Sequence, residues 1–124
     1  MAENKKKALG PYDPDRNYCG PNGLLKFPRR IYGIDCNYAF YIHDKHYIRG
    51  GTKHDRLRAD KAMYFRMMYY IKEAFPIKKK WGITYRSPVY YLAWRRARKY
   101  YRAVRVGGWA FFSYAKGGVK RNDA

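Results

Sequence analysis

The spacing of glycine and proline is the strongest constraint on the fold of this chain. The pair Gly50–Gly51, Pro76 and the pair Gly107–Gly108 interrupt sequence that otherwise favours helix. Three stretches of helix-forming length lie between these breaks, and we predict helices over about 37–49, 56–74 and 88–106. The turn between the first two is short, so they should lie antiparallel. The sequence therefore predicts an all-α fold.

Short polar residues indicate where the three helices begin. A side-chain oxygen at Asp35 or Asn37 can satisfy the free amides of the first helix, and Asp55 can do the same for the second. Ser87 followed by Pro88 is typical of a helix start, which places the third helix after Pro76.

At 124 residues the chain is long enough for one domain. We divide it into a polar N-terminal arm (1–16), a core with the first two helices (17–76) and a basic, aromatic C-terminal region (77–124) with the third helix. The residues after Gly108 fit either a short strand or a loose apolar arm. No signal-peptide pattern follows the start MAENKKKALG, and no apolar stretch reaches membrane-spanning length.

The net charge of +19 indicates anionic partners, and phosphate is common to the two main candidates, nucleic acid and anionic lipid. No acidic residue lies between Glu73 and Asp123, whereas Lys and Arg recur there among Tyr and Trp. Aromatic rings beside basic side chains are typical of both lipid interfaces and stacked nucleic-acid contacts. The candidate membrane-binding or nucleic-acid-binding residues are Lys78, Lys79, Lys80, Trp94, Arg95, Arg96, Arg98 and Lys99.

Antiparallel packing of the first two helices places His43 opposite Asp60. The turn is centred between Gly51 and Thr52, and His43 and Asp60 are equally far from that centre along the sequence. A carboxylate facing an imidazole fixes its tautomer and stabilises the cation formed when the ring accepts a proton. Tyr47, four residues after His43, lies on the same helical face and can also hydrogen-bond Asp60. These three residues form the candidate catalytic group.

Asp44 directly follows His43 but points about 100° away from it around the helix. Its carboxylate is therefore available for a different role. Carboxylate and backbone carbonyl oxygens are the ligands that Ca²⁺ prefers. The stretch YCGPNG, residues 18–23, is the loop whose carbonyls can complete such a site.

The stretches YCGPNG, IHDKHY and RADKAM together resemble phospholipase A2. That family has a Tyr-x-Gly-x-Gly calcium loop, a His-Asp helix with a tyrosine four residues after the histidine, and an aspartate on the partner helix. With only two cysteines, the chain is most similar to the cysteine-poor branch found in parvoviral minor capsid proteins. The resemblance covers residues 17 to about 66, and it implies a two-helix phospholipase A2-like core with a calcium loop.

This resemblance implies calcium-dependent hydrolysis of the sn-2 ester of phospholipids at membranes, by a virion-associated protein. The positive charge of the chain predicts that the membrane is preferably anionic. The resemblance implies that His43 is the general base, Asp60 its orienting partner and Tyr47 an additional donor. The nucleophile is then a water molecule.

The resemblance also implies the calcium ligands, which are the Asp44 carboxylate and the carbonyls of Tyr18, Gly20 and Asn22. Asn22 stands where the family has the second loop glycine. A disulfide between the two cysteines is not implied, because Phe40 stands where the family has a cysteine.

Two alternatives are open, one based on residues of this site and the other on the basic C-terminal region. Cys19, Cys36, His43 and His46 are a possible zinc ligand set, although their spacing matches no standard zinc motif. The second alternative is a non-enzymatic, nucleic-acid-binding virion protein that retains a phospholipase-like fold.

Overall fold

The computed structural model describes residues 9–19 and 28–114, and this part of the chain is mainly helical, as predicted. Helix α1 spans Asn37–Arg49, α2 spans Lys53–Ala74 and α3 spans Pro88–Gly107, and a 3₁₀ turn at Gly108–Ala110 follows. Two antiparallel hairpins complete the fold. Strand β1 (Arg30–Ile31) pairs with β2 (Ile34–Asp35), and β3 (Lys78–Lys80) pairs with β4 (Ile83–Tyr85).

The predicted cap is confirmed only for α3, where Ser87 is the N-cap residue and its Oγ accepts the Val89 N–H at 3.3 Å. For α1 the predicted caps are wrong, because the N-cap residue is Cys36, which makes no side-chain capping bond; Asp35 Oδ1 does accept the Asn37 N–H at 3.0 Å. For α2 the predicted cap is wrong, because the N-cap residue is Thr52, and Asp55 is the third residue of the helix and the partner of Thr52 in a capping box. Their side chains bond each other's backbone amides, so α2 begins three residues earlier than predicted.

Helix α2 lies between α1 and α3 and packs against both. Small residues on α3, Ala93 and Ala97, are fully buried and allow the close approach of the helices. The main core cluster takes Phe40 from α1, Met63, Met67 and Ile71 from α2, and Tyr100 and Val104 from α3. The sequence division at residue 76 is therefore not a division of the core.

The segment 9–19 lies along one face of α1. The buried side chain of Asn37 accepts the Tyr18 N–H at 2.9 Å and donates to the Arg16 carbonyl at 2.6 Å. The Tyr18 ring packs edge-on against Tyr41, with centroids 4.9 Å apart. Asn37, Tyr41 and Asp44 follow one another at helical spacing, so this segment leads toward the Asp44 side of α1.

The last described residues return to the turn between α1 and α2. The Ser113 N–H donates to the Tyr47 carbonyl at 3.1 Å, and the Gly51 N–H donates to the Ser113 carbonyl at 3.0 Å. Gly50 has φ +72°, and a side chain there would collide with Ser113. The described part of the predicted strand or loose arm is thus a 3₁₀ turn followed by a short segment joined to Gly51 by one parallel bridge at Tyr114, and residues 115–124 lie outside the described residues.

None of the helices in residues 9–19 and 28–114 is long and apolar enough to cross a membrane.

Candidate active site

The structure brings together the three candidate catalytic residues across the α1–α2 interface. His43 Nε2 lies 2.7 Å from Asp60 Oδ1, and the Tyr47 hydroxyl donates to the same oxygen at 2.6 Å. All three side chains are buried, and Asp60 has no exposed surface. The antiparallel register predicted from the turn thus places these side chains in hydrogen-bonding contact.

Two arginines, neither singled out from the sequence, hold the other oxygen of Asp60. Arg105 on α3 donates to Asp60 Oδ2 at 2.7 Å, and Arg56 lies 3.6 Å from the same oxygen. Arg56 is fully buried and also donates to the Val104 carbonyl at 3.0 Å and the Arg105 carbonyl at 3.3 Å. Arg56 precedes Asp60 by one helical turn, a spacing that was visible in the sequence. The contact between Arg105 and Asp60 depends on how α3 docks, and nothing in the sequence indicated that docking.

The charges around Asp60 keep it ionised. Burial raises its pKa, but the hydrogen bond and charge of His43 and the hydrogen bonds from Tyr47 and Arg105 outweigh burial, so the pKa lies below its ordinary value. Burial and the neighbouring Asp60 charge raise the pKa of Tyr47, which remains a neutral donor.

An ionised Asp60 determines the tautomer of His43. A carboxylate only accepts hydrogen bonds, so Nε2 of a neutral His43 must carry the proton that is donated to Asp60. The lone pair of the ring is then on Nδ1, the nitrogen turned away from Asp60. A neutral His43 can therefore accept a proton at Nδ1 while Asp60 stabilises the resulting cation.

Asp44 has the properties of a carboxylate suited to a cation. It is half-buried, and within the described ranges its carboxylate takes part in no side-chain hydrogen bond or ion pair. Burial raises its pKa to about 7, although the charge of Arg16 opposes this rise. A hard cation would offset this cost of burying the charge, so the residue fits the predicted calcium role.

The remaining predicted calcium ligands are only partly described. Tyr18 is buried and fixed to α1 through Asn37. Gly20 and Asn22 lie outside the described residues. The donor set is all oxygen, as Ca²⁺ requires.

The alternative zinc set is not assembled within residues 9–19 and 28–114, since no group of three or more His, Cys, Asp or Glu side chains there is placed to hold a metal. Both cysteines are buried and neither forms a disulfide. Burial, with the nearby charge of Asp35 and Cys19, raises the pKa of Cys36 to about 12. A thiol with so high a pKa is a poor source of the thiolate that zinc binds.

The predicted basic residues differ in exposure. Lys78, Lys79 and Lys80 are exposed on β3, and Arg95 and Lys99 are exposed on α3. Arg96 and Arg98 are half-buried and lie over the rings of Tyr32 and Trp94, at 5.6 and 5.0 Å from the centroids. Trp94 is itself half-buried and donates through Nε1 to the Tyr64 hydroxyl at 3.0 Å.

No family model, curated protein or solved structure matches this chain.

Proposed function

We propose that this protein is a calcium-dependent, phospholipase A2-like hydrolase that cleaves the sn-2 ester of phospholipids at membranes. The observation that carries the proposal is the buried hydrogen-bonded group of His43, Asp60 and Tyr47 beside the half-buried Asp44. A base, its orienting carboxylate and a candidate cation ligand thus lie together on two antiparallel helices.

In the proposed reaction, His43 activates water. Nδ1 accepts one proton from the water molecule as its oxygen bonds to the ester carbonyl carbon. Asp60 stabilises the imidazolium through the Nε2–H bond, while Tyr47 and Arg105 hold the carboxylate in place. When the ester C–O bond breaks, the imidazolium returns its proton to the departing alkoxide. The products are a free fatty acid and a lysophospholipid, and no covalent acyl-enzyme forms.

The Asp44 carboxylate and the carbonyls of Tyr18, Gly20 and Asn22 are the residues that would hold Ca²⁺. A bound Ca²⁺ supplies Lewis-acid polarisation of the ester carbonyl and stabilisation of the developing oxyanion. The carboxylate of Asp44 follows the base directly in sequence, which keeps both functions on one rigid helix.

The deciding experiment measures fatty-acid release from mixed phospholipid vesicles with calcium and with a chelator. His43→Gln should lower the rate about 10²- to 10⁴-fold, because an amide can hold the hydrogen bond but cannot accept the proton. His54→Gln is the matched control, since His54 is exposed at the start of α2. A His43→Gln protein that folds and keeps more than half of the wild-type rate would exclude the mechanism.

The net charge of +19 keeps a nucleic-acid-binding function as the second candidate. That function replaces the proposed one if the wild-type protein releases no fatty acid at any calcium concentration and binds nucleic acid with a steep salt dependence.

A further inference from the structure

The β3–β4 hairpin exposes an apolar tip that the fold does not use. All six of its strand residues are exposed. Trp81 in the turn is 88% exposed, Ile83 is 64% exposed, and Ile77, just before the hairpin, is 61% exposed. A large apolar side chain stabilises the folded state mainly when it is removed from water, so these three exposed side chains contribute little to the stability of the fold. Their exposed side chains are available to an external partner.

The tryptophan also occupies a conformation that disfavours it. Trp81 has φ +52° and Gly82 has φ +78°, so both residues of this two-residue turn have positive φ. Asn-Gly is the favoured pair for such a turn, because a bulky residue in this region is strained. The described ring contact of Trp81 is with the Lys80 ammonium, 4.8 Å from its centroid. The requirements of the turn therefore do not explain why position 81 is a tryptophan.

The hairpin register places cationic and apolar side chains on one face. Lys78 pairs with Tyr85 and Lys80 pairs with Ile83, and paired residues project to the same side of a hairpin. Lys79 adds a third positive charge on the other face. No acidic residue occurs between Glu73 and Asp123, so no nearby carboxylate in the sequence neutralises these lysines.

We propose that this hairpin docks on an anionic phospholipid bilayer, with Trp81 and Ile83 entering the boundary between headgroups and acyl chains. The lysines complement the negative headgroups, and a tryptophan ring is the side chain that best occupies this boundary. Ile77 and Ile83 favour lipid over nucleic acid as the partner. Their side chains neither stack on bases nor hydrogen-bond to them, whereas transfer from water into contact with acyl chains is favourable.

The inference deepens the proposed function and rests on it, since docking would bring the His43 site to its substrate. The test is nevertheless separate from hydrolysis. Flotation measures binding to phosphatidylcholine vesicles in the presence of a chelator. The vesicles contain roughly 30% phosphatidylglycerol, which supplies the anionic headgroups. Vesicle binding without any hydrolysis on calcium addition would refute the proposed function and leave the docking surface standing.

Trp81→Asn removes the ring while supplying the residue that this turn prefers, so the variant should fold at least as well as the wild type. We expect its affinity for anionic vesicles to fall about tenfold or more. Tyr32→Asn is the matched control, because Tyr32 and Gly33 form a second aromatic-glycine turn with positive φ at both residues. Replacing Lys78, Lys79 and Lys80 together by Gln should lower affinity about fivefold for each lysine, and added salt should reduce that difference.

Lipids carrying bromine on their acyl chains should quench the fluorescence of the wild type on binding and have a much smaller effect on Trp81→Asn. Equal vesicle affinity of Trp81→Asn and the wild type would overturn the proposal, as would equal losses in Trp81→Asn and Tyr32→Asn. A loss of affinity for a single-stranded oligonucleotide, with vesicle binding unchanged, would assign the hairpin to nucleic acid instead.

Discussion

Asp60 is the residue on which the site depends most, because it has no exposed surface and accepts hydrogen bonds from His43, Tyr47 and Arg105. Asp60→Asn should lower the rate of hydrolysis, though less than His43→Gln, since the base remains. It should also lower the free energy of unfolding by about 3–5 kcal/mol, because it removes the carboxylate that two guanidinium groups face. Urea denaturation measures this loss.

The exposed Asp15 provides the matched control, and Asp15→Asn should change stability by less than about 0.5 kcal/mol. The pH dependence gives a second check. The pKa of Asp60 is lower in the folded state than in the unfolded state, so its stabilising contribution is complete above the unfolded value, about 4, and is lost as pH falls through the folded value. Asp60→Asn should lack this part of the acid dependence, and an unchanged acid profile would contradict the assignment.

Asp44 is the residue through which calcium dependence can be tested. Asp44→Asn removes the negative charge at the candidate cation site, so we expect weaker calcium binding in calorimetry and partial recovery of hydrolysis at higher calcium concentration. Asp13→Asn, in the exposed part of the 9–19 segment, is the control for a general effect of charge. Equal calcium affinity in wild type and Asp44→Asn would remove Asp44 from the site.

At the scale of elements, α3 reaches the catalytic group through Arg105. Arg105→Gln should lower kcat about tenfold with little change in KM, because the side chain holds Asp60 and not the substrate. Arg105→Lys should recover part of the rate. Arg102→Gln, exposed on the same helix, should have no such effect. A raised KM with unchanged kcat would instead indicate that Arg105 binds substrate.

The sequence predicted these elements unevenly, for physical reasons. The end of α1 could be predicted because Gly50 and Gly51 stop the helix. The β3–β4 hairpin was not predicted, because three consecutive lysines have neither the alternation nor the composition of a strand. The His43–Asp60 pair followed from a short turn, whereas the Arg105 contact depends on how α3 docks after an intervening hairpin.

At the scale of the whole molecule, the C-terminal region is part of the fold. The sequence analysis placed the two catalytic helices in residues 17–76 and the third helix in a separate basic region, so a chain ending at Pro76 tests whether α3 is needed for the core. Ala93, Ala97 and Tyr100 are buried in that core, so we expect the truncated chain to lack cooperative thermal unfolding and near-ultraviolet circular dichroism. The full-length chain is the control and should show both. Cooperative unfolding of the chain ending at Pro76 would contradict this expectation.

Because α3 contacts Arg56 and Asp60 of α2, the candidate site is completed late during synthesis of the chain. Arg105 reaches Asp60 across 45 residues, and Arg56 reaches the carbonyls of Val104 and Arg105 across 48 and 49 residues. Contacts between distant residues form only after a long loop has closed. A nascent chain still lacking α3 already contains the base and its carboxylate, yet Asp60 lacks the Arg105 contact and Arg56 lacks the two carbonyls that it binds. If the protein hydrolyses phospholipid, its activity therefore begins only after α3 has been synthesised and has docked on α2, which delays any damage to the membranes of the cell that makes it.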